Sequence, residues 1–280
     1  RDFCLSRGLG DVSKRQSLRL MDFSYLLPET ISIYAAVFLI ILNLICSFIS
    51  TALSLGGGIL MLVGLSFVVP PLALIPVHGI IQLGSNFARI FVSVKDLDKS
   101  VILPFIIGSL IGSYLGVNIY EVLDPSIGQV GVGLFILYSI FGKFPKLGKK
   151  YIFFGGAVSS TLSMLFGASG PLISALIKNF NFNPVKHVVT HGSLMTFQHL
   201  FKSLAFFFVG FAFEEYIFLV GAMILVGFVG TYIGKLVLVS KGESYFKKVL
   251  TFILLFGAIR LIYVGLEPVS YTHMTLPTKR

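Results

Sequence analysis

Long apolar stretches separated by short polar loops dominate the pattern of this chain. A helix that crosses a membrane needs about 20 mostly apolar residues, and stretches of that length recur along the sequence. The full-length candidates are 31–55, 72–94, 101–120, 127–142, 185–210, 216–238 and 247–265. The pattern therefore predicts an all-α, polytopic membrane protein.

Two further apolar stretches are shorter and begin at glycine-rich breaks. One is GGGILMLVGLSFVV at 56–69, and the other is SGPLISALIKNF at 169–180. They contain only 14 and 12 residues, which favours a half-helix or re-entrant segment. Whether they cross the membrane fully is left open by the sequence.

The composition agrees with this class. Hydrophobic residues make up 55% of the 280 residues and charged residues only 12%, against roughly 25% charged residues in soluble domains. The two ends differ, because residues 1–20 and 269–280 are polar, aperiodic and similar to translated sequencing adapters. We expect both ends to be non-native, with a natural start at Met21. They carry half of the formal net charge of +10, so that charge does not indicate nucleic-acid binding.

Lysines crowd alternate loops, and this asymmetry predicts the orientation of the spans. The basic loops are 95–99, 143–150, 178–186 and 241–248. The acidic loops are EVLDPS (121–126) and FEEY (213–216). Short loops rich in Lys or Arg stay cytoplasmic. The segment 72–94 should therefore run from outside to inside, and 185–210 should run in the reverse direction.

Those two segments share a series of residues at equal spacing. In the first half the series is Pro71, His78, Gly79 and Arg89. In the second half it is Pro184, His191, Gly192 and Lys202. The glycine-rich breaks upstream repeat at nearly the same offset. This spacing predicts two membrane repeats, 21–142 and 151–268, joined by a basic cytoplasmic linker at 143–150. The charge asymmetry gives the repeats opposite orientations, as in many secondary transporters.

Each of the two helices carries one polar face among apolar residues. His191, Gln198 and Lys202 fall on the same side of a helix, and His78, Asn86 and Arg89 do so in the first half. Such faces must look into the protein or a wet cavity, because polar groups that face lipid cost several kcal/mol.

The glycine breaks add helix N-termini to these polar faces. Every Asp and Glu of 31–265 lies in a loop or at the end of a span, so the cations have no membrane carboxylate to neutralise them. Ser169 is expected to cap a helix, with Pro171 in its first turn. Free N–H groups there and at Gly57-Gly58 would attract an anion. The candidate substrate-binding residues are Gly57, Gly58, His78, Asn86, Arg89, Ser169, Gly170, His191, Gln198 and Lys202.

Two glycine-rich broken segments, each followed by a helix of the Pro…His…Arg/Lys series, resemble the TauE/SafE family of sulfite and organosulfonate transporters. The resemblance covers nearly all of 31–265, although FGASGP (166–171) stands where a glycine pair is more usual. It implies a multi-pass protein of the inner membrane that transports small sulfur oxyanions or sulfonates. We therefore expect a secondary transporter whose partners are a small anion and the lipid bilayer. No enzyme activity, cofactor, metal or nucleic-acid partner is expected, and a homodimer is left open.

Other interpretations compete with this one. The glycines could serve helix packing, the histidines could be structural, and Arg89 or Lys202 could snorkel to water. An anion channel could have the same lining. An intramembrane hydrolase could use Ser163 or Ser169 with His191, but no carboxylate is available to orient the histidine. Proton coupling would have to run through histidine or through the anion's own protonation.

The loop charges lead to a prediction about topology. A cysteine introduced at Lys146 should react with a membrane-impermeant reagent only from the cytoplasm, and one introduced at Ser126 only from outside. Labelling of the variants Lys146→Cys and Ser126→Cys in intact and in permeabilised cells measures this. Equal labelling of both from outside would contradict the inverted arrangement.

Overall fold

The computed structural model describes residues 27–53, 56–143, 148–167, 169–237 and 244–267. This part of the chain contains ten α-helices and no strand, which confirms the predicted all-α class for these residues. The helices are α1 Ile33–Ala52, α2 Gly57–Leu65, α3 Pro71–Ile90, α4 Ile102–Val122, α5 Pro125–Phe141, α6 Ile152–Phe166, α7 Gly170–Lys178, α8 Pro184–Phe208, α9 Ile217–Val237 and α10 Ser244–Leu266. The proposed adapter-derived ends lie outside the described residues.

Four segments of the described chain are long and apolar enough to cross a membrane. They are Ile33–Ala52, Lys99–Val122, Phe213–Val237 and Lys248–Leu266. Their outer faces leave large apolar side chains exposed, such as Leu236 and Phe252, as lipid contact requires. These segments support a polytopic membrane protein. Helices α3 and α8 are not among the four, and both carry many buried polar side chains.

Glycines allow two pairs of helices to pack at backbone distance. A Cβ on Gly108 of α4 would lie 2.0 Å from the carbonyl oxygen of Phe153 on α6, and one on Gly112 would lie 2.0 Å from that of Ala157. Because both glycines and their partners advance together along the chain, α4 and α6 run parallel. Side chains larger than hydrogen could not occupy these positions without separating the helices.

The pair of α1 and α9 repeats this arrangement. A Cβ on Gly230 of α9 would lie 2.2 Å from the carbonyl oxygen of Leu44, and one on Gly234 would lie 2.7 Å from that of Phe48. These two helices therefore also run parallel. Helices α5 and α10 instead pack antiparallel, and so do α3 and α8 at the centre of the bundle.

The short helices α2 and α7 have nine residues each. At 1.5 Å per residue they are about 14 Å long, roughly half of the hydrocarbon thickness. Helix α2 ends against a cation of α10, because Arg260 Nη1 donates to the carbonyl oxygen of Ser66 at 3.0 Å and its guanidinium lies 3.9 Å from the centre of the Phe67 ring. A cation at this position satisfies the negative end of the helix dipole.

An ion cluster joins three chain segments on the side predicted to be cytoplasmic. The carboxylate of Asp98 lies 2.9 Å from Lys149 Nζ and 3.5 Å from Lys186 Nζ, and its backbone N–H donates to Thr190 Oγ1. Burial alone would raise the pKa of Asp98. Hydrogen bonds from Ser100 and Lys149 have the larger combined effect and lower the pKa to about 2. The carboxylate is therefore ionised at neutral pH and holds Lys149 close to Lys186 at the start of α8.

The close packing of α4 on α6 predicts a strong effect of bulk at Gly112. Gly112→Leu should lower the free energy of unfolding by about 1–3 kcal/mol or more, because overpacking against a backbone carbonyl cannot relax by a rotamer change. Thermal unfolding in detergent, followed by circular dichroism, measures the shift.

Gly221→Leu on α9 is the matched control, since a Cβ at Gly221 meets nothing within 4 Å. Equal unfolding temperatures of the two variants would show that α4 and α6 do not pack as described.

Candidate functional site

Helices α3 and α8 pack antiparallel. Each has a glycine at the point where the cationic side chain of the other helix lies against it. A Cβ on Gly79 of α3 would lie 2.8 Å from Lys202 Cδ, and one on Gly192 of α8 would lie 2.8 Å from Arg89 Cβ. The sequence places each of these glycines directly after a histidine of the repeated series. The glycines thus allow both cationic side chains to lie across the opposite helix inside the bundle.

The two histidines of the series make the same contact with the two short helices. His78 Nε2 lies 2.9 Å from the carbonyl oxygen of Gly58 at the start of α2, and His191 Nε2 lies 3.1 Å from that of Gly170 at the start of α7. A carbonyl oxygen only accepts hydrogen bonds, so each Nε2 carries the proton and donates it. Each histidine therefore fixes the first turn of a short helix against a long one.

Arg89 is held by neutral partners. Its side chain is 3% exposed, with Nη1 3.2 Å from His191 Nδ1 and Nη2 in a short hydrogen bond to Asn86 Oδ1. Asn86 in turn donates to the backbone oxygen of Gln82 at 2.7 Å. Because the guanidinium can only donate, His191 Nδ1 accepts, and that histidine is the neutral tautomer. Arg89 does not reach the surface in this structure.

Lys202 is completely buried. Its Nζ donates to the carbonyl oxygen of Gly167 at 2.7 Å, where α6 ends with Gly167 at a φ of +80°. The neighbouring Ser169 has the N-cap position of α7, but its side chain makes no capping hydrogen bond. It donates to Gln198 Oε1 at 2.9 Å instead. The predicted N-cap position of Ser169 is thus confirmed, whereas the expected capping hydrogen bond is not formed.

The start of both short helices and parts of both long helices enclose one small cavity of about 30 Å³. It is lined by Ser50, Gly56, Gly58, Ile59, His78, Gln82, Arg89, Gly170, Pro171, His191, Met195 and His199. The first intrahelical donors are Leu60 in α2 and Ile173 in α7. The earlier N–H groups, including those of Gly58 and Gly170, thus lack an intrahelical acceptor and mark the positive ends of both helices.

The structure brings the predicted residues together in two layers. Those that line the cavity are Gly58, His78, Arg89, Gly170 and His191. Behind this lining, Asn86 bonds to the lining residues Gln82 and Arg89. Ser169 and Gln198 bond to each other, and Lys202 donates to the backbone of Gly167. Gly57 packs elsewhere, since a Cβ there would lie 2.0 Å from the carbonyl oxygen of Cys46 on α1.

Sequence reasoning missed His199, the residue with the most unusual hydrogen bonding in the cavity. Its side chain is fully buried, and neither ring nitrogen has a hydrogen-bond partner among the described residues. Its ring centroid lies 5.9 Å from that of His78, in an edge-to-face arrangement. The spacing of eight residues from His191 could have indicated it, since i and i+8 share a broad helix face. No group of three or more His, Cys, Asp or Glu side chains that could hold a metal occurs in the described chain.

A second, larger cavity of about 350 Å³ lies at the end of the bundle formed by the start of α3, the ends of α4 and α8, and the start of α5. Leu74 and Phe206 are part of its wall. They lie one helical turn from His78 and Lys202, respectively. Phe206 also contacts the Tyr120 ring edge-to-face, with a centroid distance of 5.0 Å. Leu74, Phe206 and Tyr120 thus form an apolar layer in the wall of the larger cavity, one turn along α3 and α8 from His78 and Lys202.

Comparison with known proteins gives one family. The family model described as "Sulfite exporter TauE/SafE" matches residues 39–261, which include the whole site. No significant match occurs among curated proteins or among solved structures.

The cavity predicts the effect of bulk at Gly170. A Cβ there would meet only Met195 Cε at 3.9 Å and the His191 ring at 4.0 Å, so Gly170→Leu should fold and fill the cavity. We expect sulfite, the anion named by the matching family, to raise the unfolding temperature of the wild type, and we expect the variant to lose this stabilisation. Thermal unfolding with and without sulfite measures this.

Gly221→Leu, which adds the same side chain far from the cavity, should keep the stabilisation. Retained stabilisation in Gly170→Leu would mean that the anion binds outside the small cavity.

Proposed function

Because the chain belongs to the TauE/SafE sulfite exporter family, we propose that it is a secondary transporter of small sulfur oxyanions, with sulfite as the foremost substrate. We propose further that it is a multi-pass protein of the inner membrane, with no catalytic activity. The anion binds in the small cavity between the short helices and is released by a rearrangement of the two repeats around it.

The observation that carries this proposal is the uncompensated positive charge at the cavity. Arg89 and Lys202 are buried, and the hydrogen bonds found for them go to neutral acceptors. The ion pairs found in the described chain involve Asp98 at the bundle's edge rather than these cations. Two helix N-termini add positive dipole ends. An anion in the cavity supplies the missing negative charge, because buried charges are stable only when they are paired.

The size of the cavity favours sulfite over organosulfonates. A buried water needs about 10–15 Å³ of such volume, so about 30 Å³ corresponds to two or three water-sized positions. A compact oxyanion fits this space with a small expansion, whereas a sulfonate with an organic chain would require the apolar layer to open.

The helix pairs support two inverted repeats, α1–α5 and α6–α10. Under this correspondence α3 matches α8 and α5 matches α10, and both matched pairs run antiparallel. The parallel pair α4 and α6 corresponds to the parallel pair α9 and α1. Inverted repeats around a central site are the usual plan for alternating access. With the predicted topology, the larger cavity lies toward the outside and the Asp98 cluster lies on the opposite, cytoplasmic side.

The contacts of the serines argue against the hydrolase alternative. Ser169 donates to Gln198 and Ser163 donates to the carbonyl oxygen of Gly167. The ring nitrogens of His191 are occupied by Gly170 and Arg89. A nucleophilic serine requires a histidine within hydrogen-bond reach as its base, and neither serine has that contact.

Removal of the buried charge at Lys202 should weaken anion binding. Lys202→Gln keeps a hydrogen-bond donor for the carbonyl oxygen of Gly167 and removes one positive charge from the centre of the bundle. We expect about a tenfold or greater loss of affinity, since hydrogen bonds to charged groups contribute roughly 1.5–3 kcal/mol. Flux of radiolabelled sulfite into proteoliposomes, measured over a range of concentrations, gives the change.

The matched control is Lys235→Gln, which removes the same charge from an exposed position on α9. It should transport as the wild type does. Unchanged sulfite affinity in Lys202→Gln would refute the electrostatic role of this lysine.

A further inference from the structure

The two unpartnered ring nitrogens of His199 indicate which kind of ligand the cavity can bind. A neutral imidazole has one donor nitrogen and one acceptor nitrogen, whereas an imidazolium has two donors. Both ring nitrogens of His199 are buried and lack a partner in the described chain. Burial of two such atoms without partners is destabilising, and a ligand in the cavity that His199 lines would satisfy both.

A fully deprotonated oxyanion can form hydrogen bonds with both ring nitrogens of His199 only when the ring is the imidazolium. The oxygens of a fully deprotonated anion accept hydrogen bonds and donate none. A neutral His199 would therefore leave its acceptor nitrogen unpartnered, whereas an imidazolium would donate twice. From this we propose that the transporter binds one proton with each anion, and that His199 holds this proton. The inference rests on the proposed anion transport and names its coupling ion.

The surroundings of His199 make proton binding depend on the anion. Helix α3 contributes His78 and Arg89, and α8 itself contributes His191 and Lys202. Helices α2 and α6 carry no titratable side chain. The remaining titratable groups of packed helices lie farther along, with Lys178 at the end of α7 and Tyr120 beside Phe206.

All the charged groups near His199 are thus positive. A proton on His199 adds another positive charge beside Arg89 and Lys202, which repel it. An anion in the cavity reverses this repulsion, and by linkage the proton must then strengthen anion binding equally. Proton and anion therefore bind together and leave together.

The other histidines are less suited to carry the proton. His191 uses both nitrogens for Gly170 and Arg89, and His187 Nε2 lies 3.1 Å from Ser174 Oγ outside the cavity lining. His78 already donates to Gly58 and has only Nδ1 unpartnered. His199 alone among these four has both nitrogens available for an anion.

The proton balance is simple. On one side of the membrane a proton adds to a ring nitrogen of His199 as the anion enters, with no bond to the anion broken or formed. On the other side the same N–H releases its proton to water as the anion leaves. A dianion that moves with one proton transfers one net negative charge.

Nitrogen-15 NMR of histidine-labelled protein tests where the proton is. In mildly alkaline buffer, where free sulfite is a dianion, saturating sulfite should convert one histidine from the neutral to the imidazolium pattern of ring shifts. His199→Gln should lose this signal, and His187→Gln should keep it. Histidines that all stay neutral while sulfite stabilises the protein would overturn the inference and leave the proposed transport intact.

Transport in proteoliposomes gives a second readout that needs no variant. A pH difference across the membrane should drive sulfite accumulation toward the alkaline side by up to about tenfold per pH unit for one coupled proton. A pH-sensitive dye inside the vesicles should report proton movement in the same direction as sulfite. Sulfite flux without proton movement overturns the coupling, whereas the absence of any sulfite flux or binding refutes the proposed function itself.

The variant His199→Gln distinguishes a proton carried by His199 from a proton carried by the anion itself. The variant should carry sulfite down its own gradient but respond at least several-fold less to the pH difference than His187→Gln does. A response equal to that of the wild type would place the proton on hydrogensulfite rather than on His199. A coupling lost in His78→Gln and kept in His199→Gln would assign the proton to His78 and overturn the assignment.

Discussion

The burial of two cations without a carboxylate is the constraint on which this structure depends. A cation at the centre of a membrane costs roughly 2.5–3.5 kcal/mol even on insertion scales. Here neutral acceptors hold the cations in place: Asn86 and His191 for Arg89, and the carbonyl oxygen of Gly167 for Lys202. These hydrogen bonds fix the geometry but leave the charge uncancelled. This uncancelled charge is the basis of the proposed anion site at the centre of the bundle, and other features of the fold bring the cations there.

Glycines make that placement possible at two levels. Gly79 and Gly192 remove the side chains that would block the cations where α3 and α8 cross. Farther out, Gly112 and Gly230 let α4 and α1 pack at backbone distance on α6 and α9. In a membrane, such close packing replaces the hydrophobic effect as the source of helix association. The parallel pairs thus pack on either side of the antiparallel pair that carries the polar residues.

The sequence was sufficient for nine of the ten α-helices of the described chain. It was insufficient for α6, which none of the predicted apolar stretches covers, and for the direction of individual side chains. Apolar runs and the repeated Pro…His…cation series predicted the long helices, the short helices and the residues Gly58, His78, Arg89, Gly170 and His191 at the cavity. The series could not show that Gly57 faces Cys46 or that Ser169 bonds Gln198 rather than capping α7. Both outcomes depend on how a nine-residue helix and its first residues sit against their neighbours. Helix α2 has no polar face, so its sequence carries no signal of its rotation. The polar residues of α7 lie toward its end and do not determine the partner of the Ser169 hydroxyl. The spacing from His191 places His199 on the same broad face of α8, but only the tertiary structure shows that neither of its ring nitrogens has a partner among the described residues.

The histidines explain why a cavity with two backbone carbonyls nearby should select anions. Carbonyl oxygens at the start of α2 and α7 would by themselves attract cations. His78 and His191 donate to these oxygens through Nε2, so the carbonyls of Gly58 and Gly170 are occupied by donors. The N–H groups of the same first turns remain directed to the start of each helix, where the dipole is positive. With the carbonyls occupied and the cations held by neutral acceptors, hydrogen-bond donors and positive charge predominate around the cavity, and a cation finds few acceptors there to replace its water.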